Sequence, residues 1–544
     1  MQWISYLLLV TFYVFVTGCG GGSSSSKTET DSKYTIEYKG LQFYHKSLEQ
    51  SDYKLSPLID SEFNNLSSEN RLIVSNKLLS TLFFGYPQSI LEEKVNSGSF
   101  LSDLKEGLDD IQIDTDLLES SILDENIFQQ SPWGEQEAVD ILARFYQMDS
   151  LDRYFLHNWI AYILTQTIMF SPAYELESSH TPNITQVYNR IVNLLNEEAG
   201  MRYITYIHMS SEDNWRRFRS PEDNGREMLE IFTLDMDDAH VPIAGKALQN
   251  WRLDRDSDTL VVGLNHNTQK LSLFDTDLYT GDDFYRELVK SELFVNGVTS
   301  RLIDFFFPNY TDRKKDEIKS KLIASHPESW QDILLQIIFS KEYLLYNSRA
   351  KSAEESFFSL AKKMDFKHRT GTFHQFKRAL EGMHQATMKY KLGKLQRVPL
   401  DTLSFVSYYK YVREELLLSV SNPEKLDDYT SWGRQGWSKK FIEDDGIDYT
   451  NLSNKESLSL FIEYLFKTLV YRNPTSSEFQ MFFNHMLEGD AGREEFTCCF
   501  DMFEERDDME KQNKARFESK SRVARVVLEY LARLDDLYMQ KEVN

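Results

Sequence analysis

Apolar residues recur every three or four positions along most of this chain, the period that gathers them on one face of a helix. The spacing predicts helices over 70–84, 151–170, 185–198, 283–307, 330–346 and 458–470. Val523, Val526, Val527, Tyr530, Leu531, Leu534, Leu537 and Tyr538 keep that period and predict one long amphipathic helix at the C-terminus. Pro474, Thr475 and Glu478 have the spacing of a capping-box start for another. The convincing β pattern is short: Leu260 to Leu264 and Leu271 to Phe274 flank the polar residues 265–270 and predict a hairpin. The expected fold class is therefore mainly α, a large multi-helix domain with a short β-hairpin near 260–274. No internal repeat and no Pro/Gly-rich linker follows residue 35. A helical body over 36–392 with a C-terminal helical region over 393–544 packed on it fits the pattern, as do two lobes meeting near Gly393–Pro399.

The first residues follow another pattern. Trp3 to Val16 is almost wholly apolar, a length that suits a signal-peptide core and is short for a bilayer span. Val16, Thr17, Gly18 and Cys19 resemble the bacterial lipobox. That likeness implies that residues 1–18 are removed as a lipoprotein signal peptide and that Cys19 carries palmitate-type acyl chains. Val16 stands where the lipobox usually has Leu, and no Lys or Arg precedes the apolar run, so an ordinary secretory signal or an uncleaved anchor is the alternative. Each buried CH₂ of an acyl chain contributes about 0.8 kcal/mol, so a triacylated Cys19 would stay on the membrane. Gly20 after the cysteine, rather than Asp, resembles lipoproteins sorted to the outer membrane. The cell envelope, facing the periplasm or the cell surface, is the implied location. Residues 19–35 read as a Gly/Ser-rich tether, whose first dozen residues reach about 20 Å by random-coil scaling.

Composition limits what the tether holds. With 41% apolar and 13% aromatic residues in 544, the chain has ample material for a large core. Its net charge of −24 argues against a nucleic-acid partner. Besides Cys19 only the adjacent Cys498 and Cys499 occur, too few for a disulfide framework; the simplest reading of that pair is two small apolar residues. No second stretch of 18 apolar residues is present.

Residues 220–234 carry the clearest local design. Ser220 suits a helix cap, Pro221 the first helical position, and Glu222 with Asp223 the positive end of the helix dipole. Met228, Leu229, Ile231 and Phe232 define a buried face, and Arg226, Glu227 and Glu230 lie close enough on the other for an ion-paired cluster. The simpler expectation is an Arg226 that cross-links neighbouring helices through its planar fork.

This segment, Ser-Pro-Glu-Asp-Asn-Gly-Arg-Glu-Met-Leu-Glu-Ile-Phe-Thr-Leu, resembles the signature of a large bacterial family of exported proteins known as domain of unknown function 1800. Further likenesses follow in order: Leu78, Leu79, Phe84 and Gly85; Lys246, Ala247, Leu248 and Trp251; His266 to Lys270; Leu302 to Phe307; Ile338, Ser340 and Tyr343; and Lys351, Ser352 and Glu354. The likeness covers about 70–365 and marks Arg226, Trp251 and Lys270 as structural motif residues. Asn224 stands where the family prefers an aromatic ring, Asp235 and Asn250 where it has Gly, and Asn267 where it has Asp. The resemblance implies no mechanism. It does imply a partner, because such proteins are often encoded beside an exported sulfatase-like protein.

Candidate chemistry is sparse. No zinc-protease, serine-hydrolase or phosphate-loop motif occurs. Asp235, Asp237, Asp238 and His240 have the donor types to hold a divalent cation with Glu230; no other cofactor is expected. Asp254, Asp256 and Asp258 have the alternate spacing of a calcium loop but lack its Gly and closing Glu, so a solvated acidic loop is the simpler reading. Glu381 and His384 make one Glu-x-x-His pair where a di-iron bundle needs two. His266 with Lys270 suits proton transfer or an anion, with a structural hydrogen bond as the plainer role. Trp432 and Trp437, with Tyr408, Tyr409 and Tyr411 upstream, are a sugar platform or, more simply, aromatic core.

Two functions follow. One is a membrane-anchored envelope interaction or scaffold protein. The other is a hydrolase of envelope or extracellular polymers using Glu227 and Glu230 as acid and base. The first expects a buried, salt-bridged Arg226; the second expects those carboxylates in a concave pocket.

Overall fold

The computed structural model describes residues 34–38, 41–45, 55–110, 135–169, 184–215, 218, 220–235, 237–254, 259–364, 376, 378–380, 383, 402–413, 441–442, 445–449, 452–488 and 509–543. Its contacts divide the chain into two units, Met1–Gln50 and Ser51–Asn544. In the first, Tyr34–Tyr38 pairs antiparallel with Leu41–His45, so a strand begins at Tyr34, before the expected end of the tether.

The second unit is mainly helical with short antiparallel strand pairs. Its centre is the Arg153–Thr167 helix, buried on every face from Tyr154 to Thr167. A helix apolar all round has no face for water and belongs in the middle of a core. The Trp159 indole N–H donates to the Thr81 carbonyl at 2.8 Å, which fastens this helix to the end of Ser68–Thr81. The Tyr162 hydroxyl donates to Glu354 at 3.0 Å on the Ala353–Lys363 helix. Phe83, Phe145, Tyr162 and Phe358 fill the space between them, with contacting ring centroids 5.2 to 6.1 Å apart.

Serine and threonine decide where the helices begin. The expected capping box at Thr475 and Glu478 forms at the head of Ser476–Phe483. Serine also divides what periodicity joined. The single helix expected over 283–307 is two, Gly281–Lys290 and Glu292–Phe306, because Ser291 is extended and its side chain accepts the Phe294 N–H at 3.3 Å. Ser340 divides 330–346 in the same way, between Trp330–Ile338 and Lys341–Leu344. At the C-terminus, Met509–Leu531 ends before a second short helix, Asp535–Tyr538, so the expected single helix is broken there too.

The predicted hairpin needs a correction. Both segments are strands, yet they do not pair with each other. Thr259–Val262 pairs with Trp251–Asp254, and Leu271–Leu273 pairs with Thr276–Leu278. The polar loop between them therefore joins two hairpins, and Phe274 with Asp275 makes a tight turn at φ 55° for each. A further strand pair, Arg349–Ala350 with Met539–Gln540, brings the last residues back onto the body.

Glycine permits the closest helix approach. A Cβ at Gly297 would lie 2.4 Å from the Phe232 carbonyl oxygen and 2.8 Å from the Thr233 Cα. Both are backbone atoms that a rotamer change cannot move. Gly297→Ala should therefore destabilise the fold by about 1–3 kcal/mol, read as a lower urea midpoint with an unchanged slope.

Candidate functional site

The Pro221–Thr233 helix forms as its sequence predicts. The Ser220 side chain accepts the Asp223 N–H at 3.1 Å, Pro221 opens the first turn, and Met228, Leu229, Ile231 and Phe232 have no exposure. Gly225 lets the His240–Ala247 helix in, since a Cβ there would lie 2.8 Å from the Ala244 Cβ. Asn224, where an aromatic ring was expected, is fully buried and accepts the Tyr285 hydroxyl at 2.8 Å. Leu234 ends the helix at φ 56°.

Arg226 is not the cross-link. Its side chain is 44% exposed and, among the described residues, reaches Asp238 at 3.5 Å, whose own side chain is 89% exposed. Position 226 lies on the outward face of the helix, where water solvates the guanidinium. The cross-linking arginine is Arg301, from Glu292–Phe306, whose Nε and Nη2 donate to the Ile231 and Glu230 carbonyls at 2.7 Å each. It satisfies carbonyls that the helix end leaves without partners. Arg226→Ala should accordingly change stability by less than about 0.5 kcal/mol, measured as an unmoved urea midpoint.

The acidic loop after this helix is organised by its own backbone. Asp235 accepts the Asp237 N–H at 3.0 Å and pairs with His240 through its second oxygen. Asp237 accepts the Ala239 N–H at 2.9 Å, and Asp238 faces solvent beside Arg226. Asp235 and His240 are thus brought together, while Asp237 and Asp238 are directed elsewhere. Among the described residues no group of three or more metal-type ligands converges.

The double hairpin beside it is tied in a similar manner. His266 Nδ1 lies 3.1 Å from the Gly263 carbonyl oxygen, a structural contact. Lys270 is separate from it and pairs with Asp277 across its own hairpin at 2.7 Å, a hydrogen bond and charge that raise its pKa above the ordinary lysine value. Asn267 is buried and donates to the Gln269 and Tyr279 carbonyls at 2.8 and 2.7 Å. Asn250, at φ 63°, occupies the left-handed region where glycine was expected and asparagine is the next best tolerated. Trp251 packs 6.1 Å from Trp215 and 5.8 Å from Tyr285 between ring centroids, at the foot of the hairpins. Glu227 and Glu230 are half-buried on the motif helix.

A second site escapes the motif reading. A cavity of about 120 Å³ opens where Ser68–Thr81, the turn after Asn454–Val470 and the C-terminal strand meet, with Asn76, Lys77, Lys351, Tyr471, Arg472 and Gln540 among its walls. Neither Glu227 nor Glu230 lines it. Lys77 is 2% exposed and donates to the carbonyls of Tyr343, Leu344 and Asn347 at 3.3, 3.0 and 2.7 Å. Burial, then the charge of Arg349, pulls its ammonium down to about 7, and three acceptors for three N–H groups oppose that. Lys351 is 6% exposed and is lowered to about 8, chiefly by burial. Lys363 is 2% exposed, held well below the usual lysine range by burial and by Lys351, and lies 3.4 Å from the centroid of the Tyr471 ring.

One sequence signal pointed to this cluster. Lys77, Leu78 and Thr81 lie three, four and seven residues after Val74 on one stripe of the helix, where a cation stands out against the apolar positions. Lys351 carries no such signal, since no apolar stripe surrounds it in sequence. Tyr408 and Tyr411 are buried, the first 4.8 Å from Tyr538 and the second 5.5 Å from Phe376 between ring centroids, so they belong to aromatic core. Cys19, Asp256, Asp258, Glu381, His384, Trp432, Trp437, Cys498 and Cys499 lie outside the described residues. Among the described residues no helix is long and apolar enough to cross a membrane. Compared with known proteins, the chain matches no protein-family model, no curated protein and no solved structure.

Proposed function

We propose that this protein is a lipid-anchored envelope protein whose helical body serves as an interaction platform, held at the membrane through Cys19. The buried, salt-bridged Arg226 expected of such a protein is not found, since Arg226 is exposed; the observation that carries the reading is instead on the double hairpin. Leu264 is 99% exposed at the loop that joins the two hairpins, with Val262 two residues before it and Tyr279 also exposed. Asn267 brackets the same loop by its hydrogen bond to the Tyr279 carbonyl. A nearly bare leucine on a loop held by buried asparagine bonds suits an anchor for a partner's pocket. The acidic outer face of the neighbouring motif helix supplies a polar rim. An exported sulfatase-like protein is the partner to which the family resemblance points.

The alternative is a polymer hydrolase using Glu227 and Glu230, neither of which lines the cavity at Lys77 and Lys351. Crosslinking capture from intact cells separates the two. Cys19→Ser should release the protein from membranes, and Leu264→Asp should lose the captured partner while leaving the urea midpoint in place. An identical captured set from Leu264→Asp would sink the platform reading. Polymer cleavage abolished by Glu227→Gln or Glu230→Gln would establish the other.

A further inference from the structure

The loop that presents Leu264 is held in place by side-chain amides and backbone bonds. Gly263 donates its N–H to the Asn250 carbonyl at 2.9 Å, and the Asn265 carbonyl accepts Gln249 Nε2 at 2.7 Å and Asn250 Nδ2 at 2.5 Å. A bare leucine on a loop that is already fixed costs little ordering when a partner takes it. The same bonds place a cation beside it. The Lys246 ammonium donates to Gln249 Oε1 at 2.5 Å, so Gln249 links that charge to the carbonyl of the residue after Leu264.

Cations further along this stretch are neutralised: Lys270 by Asp277 at 2.7 Å, Arg286 by Asp282 at 2.9 Å and Lys290 by Glu287 at 2.8 Å. Lys246 and Arg252 are not. Both are exposed, and among the described residues neither has a carboxylate within ion-pair distance. Arg252 lies opposite Val261, two residue pairs from Asn250 and Gly263, where the loop begins.

The carboxylates of the region are engaged or set apart. Asp283 accepts the Tyr279 and Thr280 N–H groups in the capping box of Gly281–Lys290. Asp254 ends its strand on the side away from the loop, and Asp275 sits in the turn at the other end of Leu271–Leu273. Glu222 borders Lys246 in space, since a Cβ at Gly245 would lie 3.0 Å from the Glu222 Cα, yet the two side chains form no ion pair. The motif helix thus gives the rim an acidic side, while Lys246 and Arg252 give it a cationic one.

We infer that the partner that takes Leu264 is a protein whose apolar pocket carries a carboxylate on its edge, placed to meet Lys246, with Arg252 as the second cation on that side. This rests on the interaction-platform reading and names the chemistry of the partner's surface. Opposite charges at a rim steer encounter and fix register around an apolar anchor. A lipid surface fits less well, because a chain of net charge −24 is repelled by anionic head groups and one bare leucine offers little apolar area for insertion.

Carbodiimide coupling of the full-length chain in intact cells tests this, because the reagent joins an amine to a carboxylate only where the two are in contact. Lys246 should be found joined by an isopeptide bond to an Asp or Glu of another protein, and Leu264→Asp should remove that link. In crosslinking capture, the double variant Lys246→Glu with Arg252→Glu should lower the partner's yield at least about fivefold at about 50 mM salt, and the wild-type yield should fall by a similar factor between about 50 and about 500 mM. Lys246→Arg keeps the charge without the amine and should capture as the wild type does. Wild-type capture by the double variant would overturn the assignment, as would Lys246 links confined to carboxylates of this chain's own sequence. So would flotation of the Cys19→Ser chain with phosphatidylethanolamine and phosphatidylglycerol vesicles that Leu264→Asp abolishes, which would make the loop a membrane contact. If Leu264→Asp captures the wild-type set, the platform itself fails; if it loses the partner while the double variant keeps it, the platform stands and the acidic-edged pocket falls. Should the double variant not unfold cooperatively, the Lys246 link in the unaltered chain decides by itself.

Discussion

Glu355→Ala is expected to lower the stability of the folded chain by about 3–5 kcal/mol. Glu355 and Arg349 are each 3% exposed, and the two guanidinium nitrogens Nη1 and Nη2 meet the two carboxylate oxygens at 2.8 and 2.5 Å. The same carboxylate accepts the Ser352 N–H at 2.7 Å, closing the capping box of Ala353–Lys363, and Arg349 also donates to the Tyr343 hydroxyl at 2.6 Å. Removing the carboxylate leaves a guanidinium in the core with no counter-charge in contact, a capping bond unmade, and the strand pair that Arg349 begins without its anchor. The cost comes from the orphaned charge more than from the lost attraction, so the double variant Arg349→Met with Glu355→Leu should recover most of it. Urea midpoints of the two singles and the double give the coupling. A single-variant cost below about 1 kcal/mol would mean that the arginine reaches water when its partner is gone.

The second large effect has the opposite sign. Lys351→Met should stabilise the protein at pH 7 by on the order of 2–3 kcal/mol. Folding lowers the Lys351 ammonium from 10.5 to about 8, so between those values the unfolded chain binds more protons than the folded one. Stability then rises with pH across that window, and the penalty is present in full below pH 8. The groups around it pull both ways: Glu355 and Asp536 favour the charge, Arg349 and Lys541 oppose it, and burial outweighs them all. The wild-type chain should therefore gain stability from pH 8 to 10 relative to the variant, and the two curves should converge near pH 10.5. Parallel curves would place Lys351 in contact with water at all pH values.

Much of the architecture was legible along the chain, and its failures share a cause. Periodicity located the helices, since burial selects one face of each whatever lies opposite. It did not see the breaks at Ser291 and Ser340, because an apolar stripe can continue across a capped turn when both short helices pack on the same core. Alternation found the strands at 259–262 and 271–273 but not their partners. Strand pairing is a relation between segments, and the short partners Trp251–Asp254 and Thr276–Leu278 are too brief to show a period. The capped motif helix at 220–233 was read correctly in its start and its buried face, while the role of Arg226 was not. Its burial depended on whether another helix covered that face, and the carbonyls at the helix end were reached instead by Arg301, far along the chain.

What the amino-acid order determined alone is local: the periods that make a mainly helical chain, the Ser and Thr caps, the apolar run before Cys19, and the net charge of −24. Only the tertiary structure decided which polar groups are buried and what they meet. Lys77 and Lys351 look like ordinary lysines in sequence, and come to line one cavity when strand Met539–Gln540 returns to Arg349–Ala350 beside them. The physical reason is that a periodic pattern reports which face of an element avoids water. The energy of a buried charge depends on the dielectric, donors and acceptors that distant segments bring within a few ångströms of it.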